Sequence, residues 1–592
     1  MKFVRQRELA EGETTLQQIR ELLKLVHGTK ARTKLIGFSV LIVAIIILNA
    51  TAQVRLNAWQ GDLYDAVSNK NLSVFYTQLG VFLILVTILL ILGFVQTWLH
   101  EMVKVRLREA VSYDLLDQWL RPKRAYRLPL AGDVGVHPDQ RIQDDTRHLT
   151  EISVDLVIGL VHSTLLLLSF VGVLWLLSDQ VVFRIGDFSF TIPGYMVWAA
   201  TGYALAGSYL TFLVGRPLIQ ANADLRAAEA DFRYLLVRVN EYSEAIAIYR
   251  GEEDERRNVG IVANNVFTVM VQKANYLARL HWVTGGYGWI AMIAPVVLAA
   301  PGYFSGALSF GALMMVVGAF FQVQQSLRWY VDRFPSLAEW RATLQRVISY
   351  RTAMTRLEML GSVAGTITYD DHPNGELSFE NLLVLGPNGR ISLTEATLDL
   401  KSGERVLISG SPRHGKSVFF RALAGLWVWG SGTILLPDRK TIMFMPHRPY
   451  IPLGTLREAL SYPSAPTRFG DEAIRAVVAR IRLDRLAAML DVVGRWDQEL
   501  TLDEQQRIAY ARAILHKPAW IIQDEALSEL DDQNRKLAES IFETDLVETA
   551  LISVGKKSDH GNFYDRVLHL ESKSPGLSLP LGLEQEAELM TV

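Results

Sequence analysis

The stretch GSPRHGKS, Gly410 to Ser417, sets two glycines, a lysine and a hydroxyl in the order G-x-x-x-x-G-K-[ST]. That spacing makes a loop whose backbone N–H groups can wrap phosphate oxygens. In this reading Gly410, Ser411, Pro412, Arg413, His414 and Gly415 form the cradle. Lys416, Ser417 and Val418 then open a helix whose N-terminus favours negative charge. The Lys416 ammonium would reach β- and γ-phosphates, and the Ser417 hydroxyl would ligate Mg2+. Proline, arginine and histidine fill the middle, where many such loops carry serine and glycine. The chemistry demands only the outer glycines and the Lys-Ser pair, and Arg413 would add positive charge near phosphate. Further on, AWIIQDEALSELD reads as a buried strand ending in Asp524 and Glu525. Asp524 suits a direct or water-mediated contact to Mg2+, and Glu525 is placed to polarise an attacking water.

The elements that must position these residues are legible around them. RVLIS is an apolar strand running into the loop, and VFFRALAGLW is the helix leaving it. This α/β half follows a first half of different chemistry. Up to about residue 335 the chain carries six long apolar segments, each near the roughly 20 residues that a bilayer core requires. They begin near Leu35, Gln78, Val154, Pro193, Trp282 and Phe310. Lys and Arg concentrate in the N-terminal segment and in the connections after the second and fourth spans, which puts both chain ends in the cytoplasm. Those connections keep helical periodicity, so the helices should continue beyond the membrane. Gln118–Arg127 and Glu241–Glu255 are the expected contacts between domains. Trp98, Trp119, Trp175, Trp198, Trp282, Trp289 and Trp329 read as an interfacial aromatic belt. Asp62 and Asp65 should sit solvated at the outer mouth.

Composition narrows the class. The 592 residues carry a net charge of −2, which gives no pull toward nucleic acid. There is no cysteine, which removes disulfides, thiolate metal sites and a cysteine nucleophile. The N-terminal segment is too polar for a cleaved signal peptide.

Between the phosphate loop and Asp524 stands LTLDEQQRIAYARAIL, Leu500 to Leu515. It resembles the LSGGEQQR signature helix of ABC transporters. MPHRPYIPLGTLREALSYP, from Met445, resembles the Q-loop region of that family. HPDQRI (His137 to Ile142) and SEAIAIYRG (Ser243 to Gly251) resemble membrane-domain motifs of one branch. That branch holds the SbmA/BacA-like transporters, including the BclA type, and the peroxisomal fatty-acyl half-transporters. The resemblance covers essentially the whole chain. It implies that the signature helix of one subunit caps ATP held with Mg2+ on the phosphate loop of the other. Thr501, Asp503 and Glu504 are then nucleotide-binding positions.

Several family positions differ here. His447 stands where the Q-loop glutamine is expected, and Lys556 where the switch histidine is. Thr501 replaces the signature serine. Asp503 replaces a signature glycine, and a carboxylate about 4 Å from a phosphate charge would cost roughly 4 kcal/mol at an effective dielectric near 20. Asp503 would avoid that by turning away to cap its helix. With Glu525, His447 and Lys556 form the expected catalytic set, and ATP binding is expected more firmly than efficient hydrolysis.

The fold expected is that of a multi-domain membrane protein: a six-helix all-α transmembrane domain of the ABC exporter type, followed by an α/β P-loop nucleotide-binding domain. The expected limits are a cytoplasmic amphipathic segment 1–34, the transmembrane domain 35–350, a linker 351–375, the nucleotide-binding domain 376–572 and a tail 573–592. The resemblance implies a homodimer in the inner membrane, contacting lipid and importing peptides or similar bulky hydrophilic compounds. Cobalamin or fatty-acyl compounds are alternative cargo. A nucleotide-regulated or proton-coupled transporter with a vestigial ATPase is the alternative mechanism.

Overall fold

The computed structural model describes residues 15–29, 32–129, 137–179, 183–185, 188–190, 192–356, 365–386, 389–395, 397–410, 415–527, 530–555 and 563–573. The chain forms two compact units, Met1–Leu116 with His137–Ser349, and Asp117–Val136 with Tyr350–Val592. Its first ten labelled helices are α1 (Thr15–His27), α2 (Arg32–Ser68), α3 (Leu72–Trp119), α4 (Arg124–Arg127), α5 (Thr146–Ser178), α6 (Tyr195–Glu241), α7 (Ser243–Tyr249), α8 (Glu252–Phe304), α9 (Phe310–Asp332) and α10 (Phe334–Arg356).

Six helical stretches among the described residues are long and apolar enough to cross a membrane: α2, α3, α5 with its lead-in, α6, α8, and α9 running on into α10. With 47 and 53 residues, α6 and α8 rise to roughly 70–80 Å, more than twice a bilayer core of about 30 Å. They therefore continue well beyond the hydrocarbon, as the periodic basic connections imply. A short antiparallel hairpin of β1 (Phe183–Ile185) and β2 (Phe188–Phe190) joins α5 to α6. Trp98, Trp175, Trp198, Trp282 and Trp289 are exposed, Trp329 lines a cavity of the membrane unit, and Trp59 is buried and donates to the Gln78 carbonyl at 2.8 Å.

Helices α2 and α9 approach closely because small residues let them. A Cβ on Gly311 would collide with the Gly61 carbonyl, and one on Gly318 with the Asn57 side chain. In lipid, where apolar surface gains little from burial, such backbone approach supplies the packing energy. Asp65, half-exposed, also has a structural part to play. Its carboxylate accepts from the Gly311 N–H at 2.7 Å and the Ser309 hydroxyl at 2.8 Å, because the first N–H groups of α9 have no partner within their own helix. On the same unit, a π-helical turn at Arg141–Asp145 brings Asp145 between two guanidiniums. Arg141 donates to it at 2.7 Å, and Arg346 of α10 at 2.8 Å. Asp145, just past the HPDQRI stretch and held by its Arg141, thus fastens α10 to the start of α5.

The second unit is built on a ten-stranded sheet. Its strands are β3 (Thr368–Asp371), β4 (Leu377–Gly386), β5 (Gly389–Leu393), β6 (Thr397–Leu400), β7 (Arg405–Ser409), β8 (Gly430–Leu436), β9 (Ile442–Met445), β12 (Trp520–Asp524), β13 (Ala550–Gly555) and β14 (Arg566–Lys573). A separate two-residue pair, β10 (Gly454–Thr455) and β11 (Val493–Gly494), lies outside it. The order is β3-β8-β4-β5-β14-β7-β13-β12-β9, with β6 on β4. Strands β14, β7, β13, β12 and β9 run parallel, and β4 and β5 are antiparallel to each other. The parallel strands are apolar runs because helices cover both faces. Chief among those helices are α11 (Lys416–Leu423), α12 (Leu456–Ser461), α13 (Asp471–Arg480), α14 (Leu502–His516) and α15 (Asp532–Thr544).

Segment 117–129 belongs to this second unit and meets the far end of α11. Arg127 donates to the Gly425 carbonyl at 2.9 Å, and the Tyr369 hydroxyl donates to the Ala422 carbonyl at 2.7 Å. Gly425, at φ 65°, closes the helix in the left-handed conformation that glycine tolerates best. Arg124 is buried and donates to the Gln118 side chain at 2.5 Å, which shapes the turn. Cations beside the final carbonyls of a helix complement its dipole. Three of them crowd this end, however. Burial pushes Lys123 down to about 8, with the Arg439 and Arg127 charges adding to the effect.

Two expectations follow. Gly311→Ala should cost about 1–3 kcal/mol through overpacking, read as a lower melting temperature in detergent. Gly80→Ala, whose added Cβ meets nothing, should be silent. For Lys123, the folded protein holds the proton less tightly than the unfolded chain does. Its charge therefore costs stability below about pH 8, and the cost fades as pH rises toward the ordinary lysine range. Lys123→Met should melt above wild type at neutral pH, with the gap closing as pH climbs past about 8; a gap constant with pH would contradict the account.

Candidate nucleotide site

Strand β7 delivers the chain to Gly410 at the centre of the parallel sheet, and α11 leaves from Gly415. Gly415 sits at φ 72°, and a Cβ there would collide with Ile391 of β5. Glycine is therefore required twice over, by backbone conformation and by space. Ser411, Pro412, Arg413 and His414 lie outside the described residues. Val418 turns its side chain into the core beside Phe419 and Ile552, which leaves its backbone for the helix N-terminus.

Lys416 is buried, and its ammonium donates to Glu525 Oε1 at 2.5 Å. Glu525 follows the end of β12, with its backbone in the left-handed region at φ 47° and its N–H on the Val554 carbonyl at 2.8 Å. A non-glycine residue held there points to a position fixed by its surroundings. Asp524 beside it is buried, and its Oδ1 has no hydrogen-bond partner among the described residues. Burial raises the Asp524 carboxyl above its ordinary range. Ser417 opposes this by hydrogen bonding, Glu525 adds to it, and His447 and Arg421 oppose it electrostatically. A buried carboxylate with an unused oxygen, next to a hydroxyl at a helix N-terminus, fits a hard divalent cation carrying phosphate. Ser417 and Asp524 are the residues that could hold Mg2+.

His447 follows β9, whose parallel pairing with β12 sets Met445 opposite Gln523. That register carries His447 toward the Asp524 end of the sheet. Its carbonyl accepts from Gln506, a fully buried side chain of α14. The signature-like helix is thereby tied to the position of the expected Q-loop residue within one chain.

Helix α14 starts with a reciprocal cap. Thr501 Oγ1 accepts from the Glu504 N–H at 3.3 Å, and Glu504 accepts from the Thr501 N–H at 3.1 Å. Burial works against the Glu504 charge, yet Arg485, the Thr501 N–H and Arg507 together hold its carboxyl below the usual range. Asp503 does not cap its helix, since Thr501 is the cap. Arg507, one turn along, contacts Asp503 Oδ2 at 2.8 Å, and the Asn534 amide donates to both its oxygens at 3.0 and 3.2 Å. Asp531 caps α15 and also accepts from Asn534. Asp503 is thus neutralised by its own subunit. Lys556 lies outside the described residues, just past β13.

Sequence reasoning missed Gln506, Arg507, Asn534 and Ile391. The spacing of Asp503 and Arg507 signalled their pairing. Ile391 and Asn534 act across long sequence distances and left no local signal. Leu502 also stands at a glycine of the LSGGEQQR pattern, a second replacement beside Asp503.

A six-span membrane unit and a P-loop α/β unit in one chain define an ABC half-transporter, and the chain belongs to the ABC transporter family. Residues 22–304 match the family described as ABC transporter transmembrane region 2, and residues 393–528 match the one described as ABC transporter. It is 31% identical to an uncharacterized ABC transporter ATP-binding protein of Synechocystis, over 86% of this chain and 76% of that protein. Identity is 27% to the inner membrane ABC transporter ATP-binding protein YddA of Escherichia coli, over 83% of this chain and 86% of the relative. It is 25% to the chloroplastic ABC transporter D family member 2 of Arabidopsis thaliana, over 90% and 83%. The chain is therefore a multi-pass membrane protein with fused membrane and ATP-binding domains, and half-transporters of this kind work as dimers.

The Lys416–Glu525 contact predicts a nucleotide effect. Glu525→Gln frees Lys416 from a partly buried ion pair, worth up to about 1 kcal/mol. Titration with a fluorescent ATP analogue should show binding tightened up to about fivefold; unchanged or weaker binding would contradict the pairing.

Proposed function

We propose that this chain forms a homodimer in the inner membrane, with both termini cytoplasmic, and imports peptides or similar bulky hydrophilic solutes at the expense of ATP. One observation carries the reading. Lys416, Ser417, Asp524 and Glu525 converge at the start of α11, while segment 117–129 grips its other end. When bound, Mg2+ supplies charge neutralisation to the terminal phosphates of ATP. Lys416 exchanges Glu525 for a phosphate partner, and this releases the Glu525 carboxylate to orient a water. Ser417 and Asp524 hold the cation. Thr501, Glu504 and the loop residues Gly410 to Val418 contact nucleotide. Asp503, already paired with Arg507 and Asn534, brings little net repulsion to a phosphate, which weakens the main objection to a closed dimer.

His447 and Lys556 favour a second reading, in which nucleotide regulates transport or protons drive it and the ATPase is vestigial. Turnover by purified protein separates the two. The first reading expects phosphate release that Glu525→Gln reduces at least 100-fold, and the second expects binding without release. Uptake of a labelled peptide by cells carrying wild type or Lys416→Ala tests the main claim. It should fall to background in the variant, and equal uptake would exclude ATP-driven transport.

A further inference from the structure

The membrane unit holds a cavity of about 650 Å3 bounded by α2, α3, α5 and α9. Its volume lies inside the roughly 300–1,000 Å3 typical of small-molecule sites. Its polar wall is unusual in kind. Six carboxamides line it, Asn49, Gln53, Asn57, Gln60, Gln322 and Gln325, and among the described residues no Asp, Glu, Lys or Arg does. On α2 the spacing of four, four and three residues puts the first four on one helix face.

Some of these amides are already bonded, within α2 or across to α3 and α9. Gln53 donates to Asn49 at 2.8 Å, Asn49 donates to Gln96 of α3 at 2.9 Å, and Asn57 donates to the Met315 carbonyl at 3.3 Å. Gln60, Gln322 and Gln325 have no side-chain hydrogen bond among the described residues, nor does His162 Nδ1 on the facing helix α5. Gln60 and Gln322 are half-buried and Gln325 is exposed, so these amides are open to water or to cargo. Each offers two N–H donors and a carbonyl acceptor. That is the complement of a peptide group, which offers one of each. An uncharged wall also has nothing to counter an anionic phosphate or thioester headgroup.

We infer that this cavity is a cargo site that recognises the main-chain amides of a peptide and is indifferent to side-chain charge, with Gln60, Gln322 and Gln325 as its specificity-determining residues. The inference deepens the peptide-transport reading and rests on it. Recognition of the backbone accounts for a site that takes peptides of varied sequence.

The test is equilibrium binding to the purified full-length protein in nanodiscs without nucleotide, so that it is read separately from ATP-driven uptake. The probe is a radiolabelled, end-blocked hexapeptide of alanine and serine. It is compared with an analogue in which alternate backbone N–H groups are replaced by ester oxygens, and with one carrying two lysines. The ester analogue should bind at least fivefold weaker, and the lysine analogue within about twofold of the parent. A Gln322→Met, Gln325→Met double variant that still binds fluorescent nucleotide should bind the parent at least fivefold weaker and lose the amide-over-ester preference. Equal binding of amide and ester by wild type would overturn the inference even if uptake depends on Lys416. So would no binding of the parent, or tighter binding of a coenzyme A thioester. The wild-type comparison decides the matter if the double variant fails to fold.

Discussion

The structure of the nucleotide unit turns on one short helix with two occupied ends. Helix α11 is eight residues long, about 12 Å at 1.5 Å per residue. At its start, Gly415 is wedged against Ile391, and Lys416 is paired with Glu525. At its finish, Tyr369 donates to the Ala422 carbonyl, Arg127 to the Gly425 carbonyl just beyond the helix, and Lys123 crowds the same place. A helix resists compression and bending over such a length, so what displaces one end is felt at the other. Segment 117–129 follows directly from the membrane-spanning helix α3. Within the nucleotide unit, hydrogen bonds thus join the far end of α11 to a segment that is covalently continuous with α3.

The departures from the family pattern look different once side chains are in place. Asp503 raised the strongest objection to nucleotide capping, because an isolated carboxylate repels phosphate. Its contact with Arg507 and its two hydrogen bonds from Asn534 spread that charge within one subunit. Gln506 ties the same helix to His447. The signature-like helix, the Q-loop position and the start of α15 are thus fastened to one another, so a change at one shifts the others. His447 remains a departure in kind, since an imidazole reaches less far than a glutamine amide.

Much of the fold was legible because its signals are local. Long apolar runs announce α2 and α3, strict glycine and lysine spacing announces the loop before α11, and RVLIS and AWIIQ announce central parallel strands. Contacts between distant residues were not legible. Nothing near Asp65 in sequence says that the first N–H groups of α9 will bond to it. Asp145 reads as one charge among many until Arg346 reaches it from the far end of the unit. Glu525 reads as a base facing water, and nothing local says that Lys416 will hold it. The amide face of α2 shows helical spacing, but only the opposing Gln322 and Gln325 make it a cavity wall.

The claim that nucleotide acts through α11 on segment 117–129 can be read from backbone hydrogen exchange. The Arg127 and Leu128 amides are bonded to the Lys123 and Arg124 carbonyls at 3.0 and 2.9 Å, so their exchange reports whether this turn holds. In the full-length protein, saturating ATP with Mg2+ should change exchange in residues 120–128 several-fold relative to the nucleotide-free protein, and the Lys416→Ala protein should show no change. Identical exchange with and without nucleotide in wild type, under conditions where binding is complete, would contradict the account.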